Sequence, residues 1–207
     1  MGNLTLGDGI TSPGSRDLVA VNMGTGALWA FPIVGGQLQS PVRIGSSGWT
    51  SMDAIVGISG FAGAGSAGVI ARSRVSGVLH YYAATGAGGL SYVSVIGSGW
   101  GGIELITNAG DWDGDGVTDV VAKNPAGQLW LFVGDGGGRF AGGSRIGSGW
   151  GSMTNFVGGG EWTGDGLPDL LTVNAVGQLW RFPASSAGGF GSPTRIGTGW
   201  GGITLIS

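Results

Sequence analysis

Short runs of apolar and β-branched residues, separated by glycine-rich segments, follow one another along the whole chain. The clearest group contains four such runs: Ile103–Thr107, Asp119–Ala122, Gln128–Val133 and Ser144–Ile146. The second and third runs are joined by Asn-Pro-Ala-Gly at 124–127, which places a glycine where a hairpin turn needs a positive φ. The pattern therefore predicts four short antiparallel strands in this group.

A tryptophan between glycines, as in RIGSGW at 145–150, gives the groups a period. Its four copies are about 50 residues apart: Trp49, Trp100, Trp150 and Trp200. We therefore expect a single domain over residues 1–207, built of four repeats of about 50 residues. Four strands in a repeat of this length are typical of a β-propeller blade, whereas solenoid repeats are usually shorter and have parallel strands.

The two ends of the chain indicate how such a ring would close. The last residues, Ile203–Ser207, match the opening run of the third repeat, whereas the first repeat starts at Asn3–Asp8, almost directly at a loop. We therefore expect an all-β protein, a β-propeller of four four-stranded antiparallel blades whose ring is closed by the C-terminal strand. The same exchange between two chains would form a homodimeric ring of eight blades, and the sequence leaves both arrangements open.

The composition excludes several classes of function. Glycine accounts for 49 of 207 residues without recurring at every third position, so it indicates turns in a β protein rather than collagen. The net charge of −3, without a basic stripe, disfavours nucleic acid and anionic membranes as partners. No apolar run predicts membrane insertion, and residues 1–20 lack the form of a signal peptide. The absence of cysteine excludes disulfides, thiol catalysis and cysteine-ligated zinc.

The third repeat contains an acidic loop, Asp-Trp-Asp-Gly-Asp-Gly-Val-Thr-Asp at 111–119. Ca²⁺ prefers six to eight hard oxygen ligands, and alternating aspartates on a tight loop direct theirs to a common centre. The predicted ligands are the four carboxylates and one backbone carbonyl: Asp111, Asp113, Asp115, Asp119 and Val117. A solvated acidic turn is the alternative, but four carboxylates within nine residues repel one another without a cation.

The aligned loops of the other repeats keep fewer acids. The fourth loop predicts a second, weaker Ca²⁺ site at Glu161, Asp165 and Asp169. The first loop keeps Asp8 and Asp17, and the second loop has no carboxylate. We infer that the turn forms without metal and that Ca²⁺ stabilises the loop rather than performing chemistry.

The loop pattern D-x-D-G-D-G-x-x-D, followed by a strand, resembles the FG-GAP or VCBS repeat. That repeat is the blade unit of integrin α-subunit propellers and of many secreted bacterial proteins. The resemblance implies calcium binding by the aspartates at 111–119 and a secreted or cell-surface location. The segment IGSGW followed by a strand also resembles the tachylectin-type sugar-binding propellers, which implies a lectin-like function.

The repeated tryptophan has two interpretations. It either anchors neighbouring blades in the core, or forms one wall of a shallow sugar pocket between blades. The second interpretation adds hydroxyl and guanidinium groups of the same segment to the ligand-binding set, which is then Trp49, Trp100, Trp150, Trp200, Ser46, Ser98, Ser148, Thr198, Arg43, Arg145 and Arg195. The arginines could instead protect a blade edge from unwanted strand pairing.

Catalysis is disfavoured because the chain lacks cysteine and its single histidine, His80, replaces a tryptophan of the aligned repeats. We therefore expect a non-catalytic carbohydrate-binding protein whose several weak, equivalent sites bind multivalent glycans. The alternative is a calcium-stabilised scaffold or protein-interaction module of a larger secreted protein.

Overall fold

The computed structural model describes residues 4–185 and 188–202, and these residues form an all-β fold of four antiparallel sheets, one for each repeat. The first blade consists of β1 (Leu4–Asp8), β2 (Arg16–Val21), β3 (Leu28–Val34), β4 (Gln37–Leu38) and β5 (Val42–Gly45). The second consists of β6 (Met52–Ser59), β7 (Ala67–Ser73), β8 (Leu79–Ala84) and β9 (Leu90–Gly97). The third consists of β10 (Leu105–Gly110), β11 (Asp119–Lys123), β12 (Leu129–Gly134) and β13 (Phe140–Gly147). The fourth consists of β14 (Met153–Gly160), β15 (Asp169–Asn174), β16 (Leu179–Pro183) and β17 (Thr194–Gly197).

Within each blade the strands pair in chain order, as the hairpin spacing of the sequence predicts. In the first blade the two-residue strand β4 extends the hairpin of β3, and β5 takes the fourth position by pairing with β3. The prediction of a β-propeller with four four-stranded antiparallel blades is confirmed.

The prediction that the first repeat lacks its opening strand is wrong. Leu4–Asp8 forms β1 and pairs along its whole length with β2, from Leu4 opposite Ala20 to Asp8 opposite Arg16. The reason is that the strand includes Gly7 and Asp8, which the sequence pattern assigns to the loop. The edge of β2 assigned to the C-terminal strand is therefore occupied by β1. Ile203–Ser207 lies outside the described residues, and the single domain over 1–207 stays a prediction.

The chain divides into two compact units, each containing two blades. The first unit extends to Gly102 and includes the hairpin tip Gly136–Arg139, while the second comprises Ile103–Asp135 and the chain from Phe140 onwards. In the first unit, Gly138 donates its backbone N–H to the carbonyl of Phe61 at 3.2 Å.

The core of each unit lies between its two blades. In the first unit, Val19 and Ala30 of the first blade belong to one buried cluster with Val69 and Ala71 of the second. In the second unit, Val121 and Leu131 cluster in the same way with Phe156 and Leu170. We call the side of a blade that carries Val19 and Ala30, or their aligned residues, the forward face. The opposite side, which carries Ala71 and its aligned residues, is the backward face.

The part of the chain that the structure describes contains no helix that is long and apolar enough to span a membrane.

Candidate functional site

The acidic loop of the third blade brings three carboxylates together. Asp111, Asp113 and Asp115 each offer an oxygen, and these oxygens lie within 4.8 Å of one another. The loop turns sharply at Gly114 and Gly116, whose φ angles of 81° and 87° favour glycine. Asp111 accepts the backbone N–H groups of both glycines, at 2.8 and 2.9 Å, which holds its carboxylate toward the centre of the loop. This set of hard oxygen donors fits a divalent cation.

Asp119, the fourth predicted carboxylate, has a different environment. Its side chain is fully buried, and its two oxygens accept the backbone N–H groups of Trp112 and Gly134, both at 2.9 Å. The pKa of Asp119 is raised to about 6, and burial is the largest cause of the shift. The two hydrogen bonds lower the pKa, and the nearby carboxylates of Asp113 and Asp115 raise it by smaller amounts. Asp119 therefore fastens the loop to the sheet, and the structure does not group it with the other three aspartates.

The same bond recurs in two other blades. Asp17 accepts the N–H of Ile10 at 3.0 Å, and Asp169 accepts that of Trp162 at 2.7 Å. We call Asp17, Asp119 and Asp169 the clamp aspartates, because each accepts the N–H of the loop's second residue. All three are fully buried.

The second blade keeps the loop without a clamp aspartate. Gly60 donates its N–H to the carbonyl of Ser66 at 2.8 Å, as Gly9 does to Ser15 in the first blade. The buried ring of Phe61 packs edge-on against Tyr81 at 5.3 Å, and a Cβ on Gly68 would lie 3.0 Å from the Tyr81 ring. An aromatic pair therefore replaces the aspartate, which supports the inference that the turn forms without metal.

The fourth loop is arranged less favourably for a cation. Glu161 folds back onto its own loop and accepts the N–H groups of Thr163 and Gly164 at 2.7 and 2.5 Å. These bonds lower the pKa of Glu161, whereas burial raises the pKa of Asp169. Among the described residues, Asp111, Asp113 and Asp115 are the one group of three acidic side chains close enough to share an ion. The weaker site at Glu161, Asp165 and Asp169 stays a prediction.

Three of the four repeated tryptophans are buried. Trp49, Trp100 and Trp150 are each 7% exposed, while Trp200 is partly exposed. Each donates its backbone N–H to a turn glycine of its own repeat, at 2.9–3.1 Å; the acceptors are Gly26, Gly77, Gly127 and Gly177. The indole of each covers the glycine of its own Ile-Gly pair, and a Cβ on Gly147 would lie 2.5 Å from Nε1 of Trp150. The motif therefore needs glycine because the ring occupies the space of a side chain.

The buried indoles also join consecutive blades. Trp49 contacts Tyr82 of the second blade at 4.8 Å between ring centroids, and Trp150 contacts Phe182 and Phe190 of the fourth blade at 4.4 and 5.0 Å. This geometry favours the structural interpretation of the motif. The neighbouring hydroxyl and guanidinium groups of the predicted sugar sites are exposed; they are Ser46, Ser98, Ser148, Thr198, Arg43, Arg145 and Arg195. A role of the motif in sugar binding stays a prediction.

Each of these arginines lies on the fourth strand of its blade, directly opposite a tryptophan of the third strand. The pairs are Trp29 with Arg43, Trp130 with Arg145 and Trp180 with Arg195. In the second blade both members change together, to His80 opposite Val95. Directly opposed residues share one side of a sheet, so tryptophan and arginine form a paired surface on three backward faces.

A cavity of about 300 Å³ opens beside the first of these tryptophans. Its lining residues come from β2, β3 and the segment before β5: Ala20, Val21, Asn22, Trp29, Phe31 and Pro41. Nε1 of Trp29 is buried and has no hydrogen-bond partner among the described residues. The sequence pattern does not predict this site, although a tryptophan recurs at this position of the third strand in three repeats.

Comparison with known proteins finds one matching family and similar solved structures. Residues 111–172 match the FG-GAP-like repeat family. The BP39L lectin from Burkholderia pseudomallei matches 94% of this chain with a TM-score of 0.62 and 19% identity, and 56% of the lectin chain is covered. BBS1N, solved in complex with ARL6DN, matches 95% of this chain with a TM-score of 0.48 and 12% identity, and 56% of that chain is covered. No curated protein matches the sequence.

The chain thus spans little more than half the length of the lectin whose fold it shares. It carries an FG-GAP-like repeat at residues 111–172 and is a β-propeller with a lectin-like fold.

Proposed function

We propose that this protein is a non-catalytic carbohydrate-binding module, lectin-like in function as well as in fold, which acts in a secreted or cell-surface setting. The observation that carries the proposal is the cavity of about 300 Å³ walled by Trp29 and Phe31. Small-ligand sites commonly combine an aromatic wall with a few polar groups, and this volume suits a ligand of monosaccharide size.

A polar group at the cavity also suits a sugar. The side-chain oxygen of Asn22 accepts the N–H groups of Gly24 and Thr25, both at 3.0 Å, which leaves its amide nitrogen as a donor for a ligand hydroxyl. Nε1 of Trp29 has no partner among the described residues but is shielded from solvent, so Trp29 would contribute the face of its ring. The apolar face of a pyranose would lie against the rings while a hydroxyl meets the amide of Asn22.

The acidic loop adds a structural component to the proposal. Ca²⁺ held by Asp111, Asp113 and Asp115 would neutralise three close carboxylates and fix the loop. The carbonyl of Val117 and water would complete the shell. We assign this ion no part in sugar binding, because none of the residues lining the cavity belongs to the loop.

Two titratable groups, Asp119 and His80, support a binding rather than a catalytic role. Asp119 is fully buried with both oxygens bonded to backbone, so it is not placed to act as a base on a ligand. His80 lies among aromatic rings, 6.4 Å from Tyr82 and 5.9 Å from Tyr92, in the position that tryptophan takes in the other blades.

A glycan array probed with the purified chain and with Trp29→Ala tests the proposal. We expect specific glycan hits for the chain itself and at least a tenfold loss of affinity in the variant, because the stacking surface is removed. Tyr92→Ala is the matched control, since Tyr92 is an aromatic residue of the same unit that is 56% exposed and does not line the cavity.

The absence of any glycan hit from a folded chain, at any glycan density, would contradict the proposal. That result would favour the calcium-stabilised scaffold or protein-interaction module, which the acidic loop supports independently.

A further inference from the structure

The backward face of the first blade is more exposed than the same face of the other blades. Leu18 and Ala20 on β2 are partly exposed, and Leu6 on β1 is 45% exposed. The residues aligned with Leu18 and Ala20 are completely buried in all three other blades: Val69, Ala71, Val120, Ala122, Leu170 and Thr172. The first blade therefore presents an apolar surface of a kind that the rest of the fold buries.

The forward face of the fourth blade departs in the same way. Its central residues Val157, Leu171 and Arg181 are partly exposed. The residues aligned with them in the first and third blades are at most 3% exposed: Thr5, Val19, Ala30, Thr107, Val121 and Leu131. The second residue after the first strand of each blade follows the same pattern, because Trp162 is 42% exposed whereas Ile10, Phe61 and Trp112 are fully buried.

The two surfaces are of complementary kinds. Inside both units, a backward face is buried against the forward face of the preceding blade. The backward face around Leu6 and Leu18 is therefore expected to pack against a forward face. The fourth blade has a forward face that is partly exposed, around Leu171 and Trp162. Apolar faces of this type are buried in monomers or mark an interface.

We propose that the backward face of the first blade binds the forward face of the fourth blade of a second copy of this chain. A two-fold axis makes the contact occur twice, once in each direction, so the dimer is closed and contains eight blades. The length of the lectin with this fold is consistent with more than four blades in a ring, because the lectin is nearly twice as long as the part of it that this chain covers.

The contact has a polar component as well. Nη1 of Arg181 donates to the carbonyl of Trp162 at 2.8 Å, which places a guanidinium on the forward face of the fourth blade. The backward face of the first blade carries a carboxylate, because Asp8 lies there with its side chain 57% exposed, and in the single chain it pairs with Arg16 at 3.5 Å. The cavity beside Trp29 opens on the same face, so the second copy would cover it, and a ligand bound there would compete with the dimer contact. The dimer itself does not depend on sugar binding.

Native mass spectrometry and light scattering of the full chain, without glycans, test the proposal. We expect a dimer at tens of micromolar. Leu6→Asp and Trp162→Asp should each weaken dimerisation at least tenfold, because each places a charge in an apolar contact. Leu6 is 45% and Trp162 is 42% exposed in the single chain, so neither side chain belongs to the core and circular dichroism should show an unchanged fold. Val75→Asp is the control, since Val75 is 92% exposed and lies on neither face.

Mixing the two variants distinguishes this contact from any other. A pair of one Leu6→Asp chain and one Trp162→Asp chain has one of its two contacts free of substitutions, so heterodimers should form where neither variant dimerises alone. A monomeric wild-type chain, dimers that persist in both variants, or a mixture without heterodimers would each overturn the proposal. A glycan-negative but dimeric protein would overturn the proposed function and leave this inference standing.

Discussion

At the scale of single residues, the tryptophan motif depends on the absence of a side chain at one position. The ring of Trp150 lies where a Cβ of Gly147 would be, and the same relation holds for Trp100 with Gly97. The sequence shows the repetition of Ile-Gly before each tryptophan, but only the structure shows that glycine is required by contact rather than by backbone angle. Neither glycine has a positive φ.

Gly147→Ala should therefore lower the free energy of unfolding by about 1–3 kcal/mol, the usual cost of overpacking a core. Gly142→Ala is the matched control, because Gly142 lies on the same strand and a Cβ there would meet nothing within 4 Å. Urea denaturation of both variants measures the difference. Equal stabilities would show that the indole moves aside without cost.

At the scale of elements, the aspartates of the acidic loop have two different roles, cation binding and attachment of the loop to the sheet, although they form a single pattern in the sequence. Four aspartates of the acidic loop form one pattern in the sequence, and their types and spacing predict a common centre. The structure divides them, because Asp119 is buried and bonded to backbone whereas Asp111, Asp113 and Asp115 surround the turn. Burial depends on contacts with Gly134, far along the chain, which the local pattern does not contain.

Calcium titration separates these roles. Isothermal titration should show one principal site, and Asp113→Ala with Asp115→Ala should raise its Kd at least a hundredfold by removing two of the three carboxylates. Asp165→Ala is the matched control in the aligned loop, where no such group of three forms. A titration curve that the double variant leaves unchanged would disprove the loop as the site, and an equal loss in the control would move it to the fourth blade.

At the scale of the whole molecule, the repeat period predicts the number of blades and the order of their strands, because both follow from local hairpins. It does not predict the position of β1, whose five residues include two that resemble a loop. It also misses the cavity at Trp29, since the residues lining it are close only after the sheet has formed. The sequence therefore does not predict features such as these, because they depend on contacts between distant parts of the chain.

The pH dependence of stability is another property of the whole molecule. The folded-state pKa of Asp119, about 6, lies above the 3.8 of an unperturbed aspartate, so the folded chain binds a proton more tightly than the unfolded chain. The resulting stability is present below pH 3.8 and is lost as the pH rises through 6. Asp169 shifts in the same direction because of burial.

In calcium-free buffer, we therefore expect the free energy of unfolding to fall by up to about 3 kcal/mol between pH 4 and pH 7. Urea denaturation at a series of pH values measures it, and Asp119→Asn, which cannot ionise, should flatten the profile. Saturating Ca²⁺ should also reduce the decline, because a nearby cation favours the carboxylate. Stability that rises with pH in calcium-free buffer would contradict this assignment.

The way the repeated tryptophan packs has a consequence for the evolution of such genes by tandem duplication. The glycine beneath the ring and the carbonyl that accepts its N–H both come from the tryptophan's own repeat, while the outer side of the ring meets the repeat that follows. A duplicated segment of DNA would thus encode both the tryptophan and the residues of its packing site, and the outer side of the ring would be available to contact the next copy. Tandem duplication could lengthen the array without compensating mutations elsewhere.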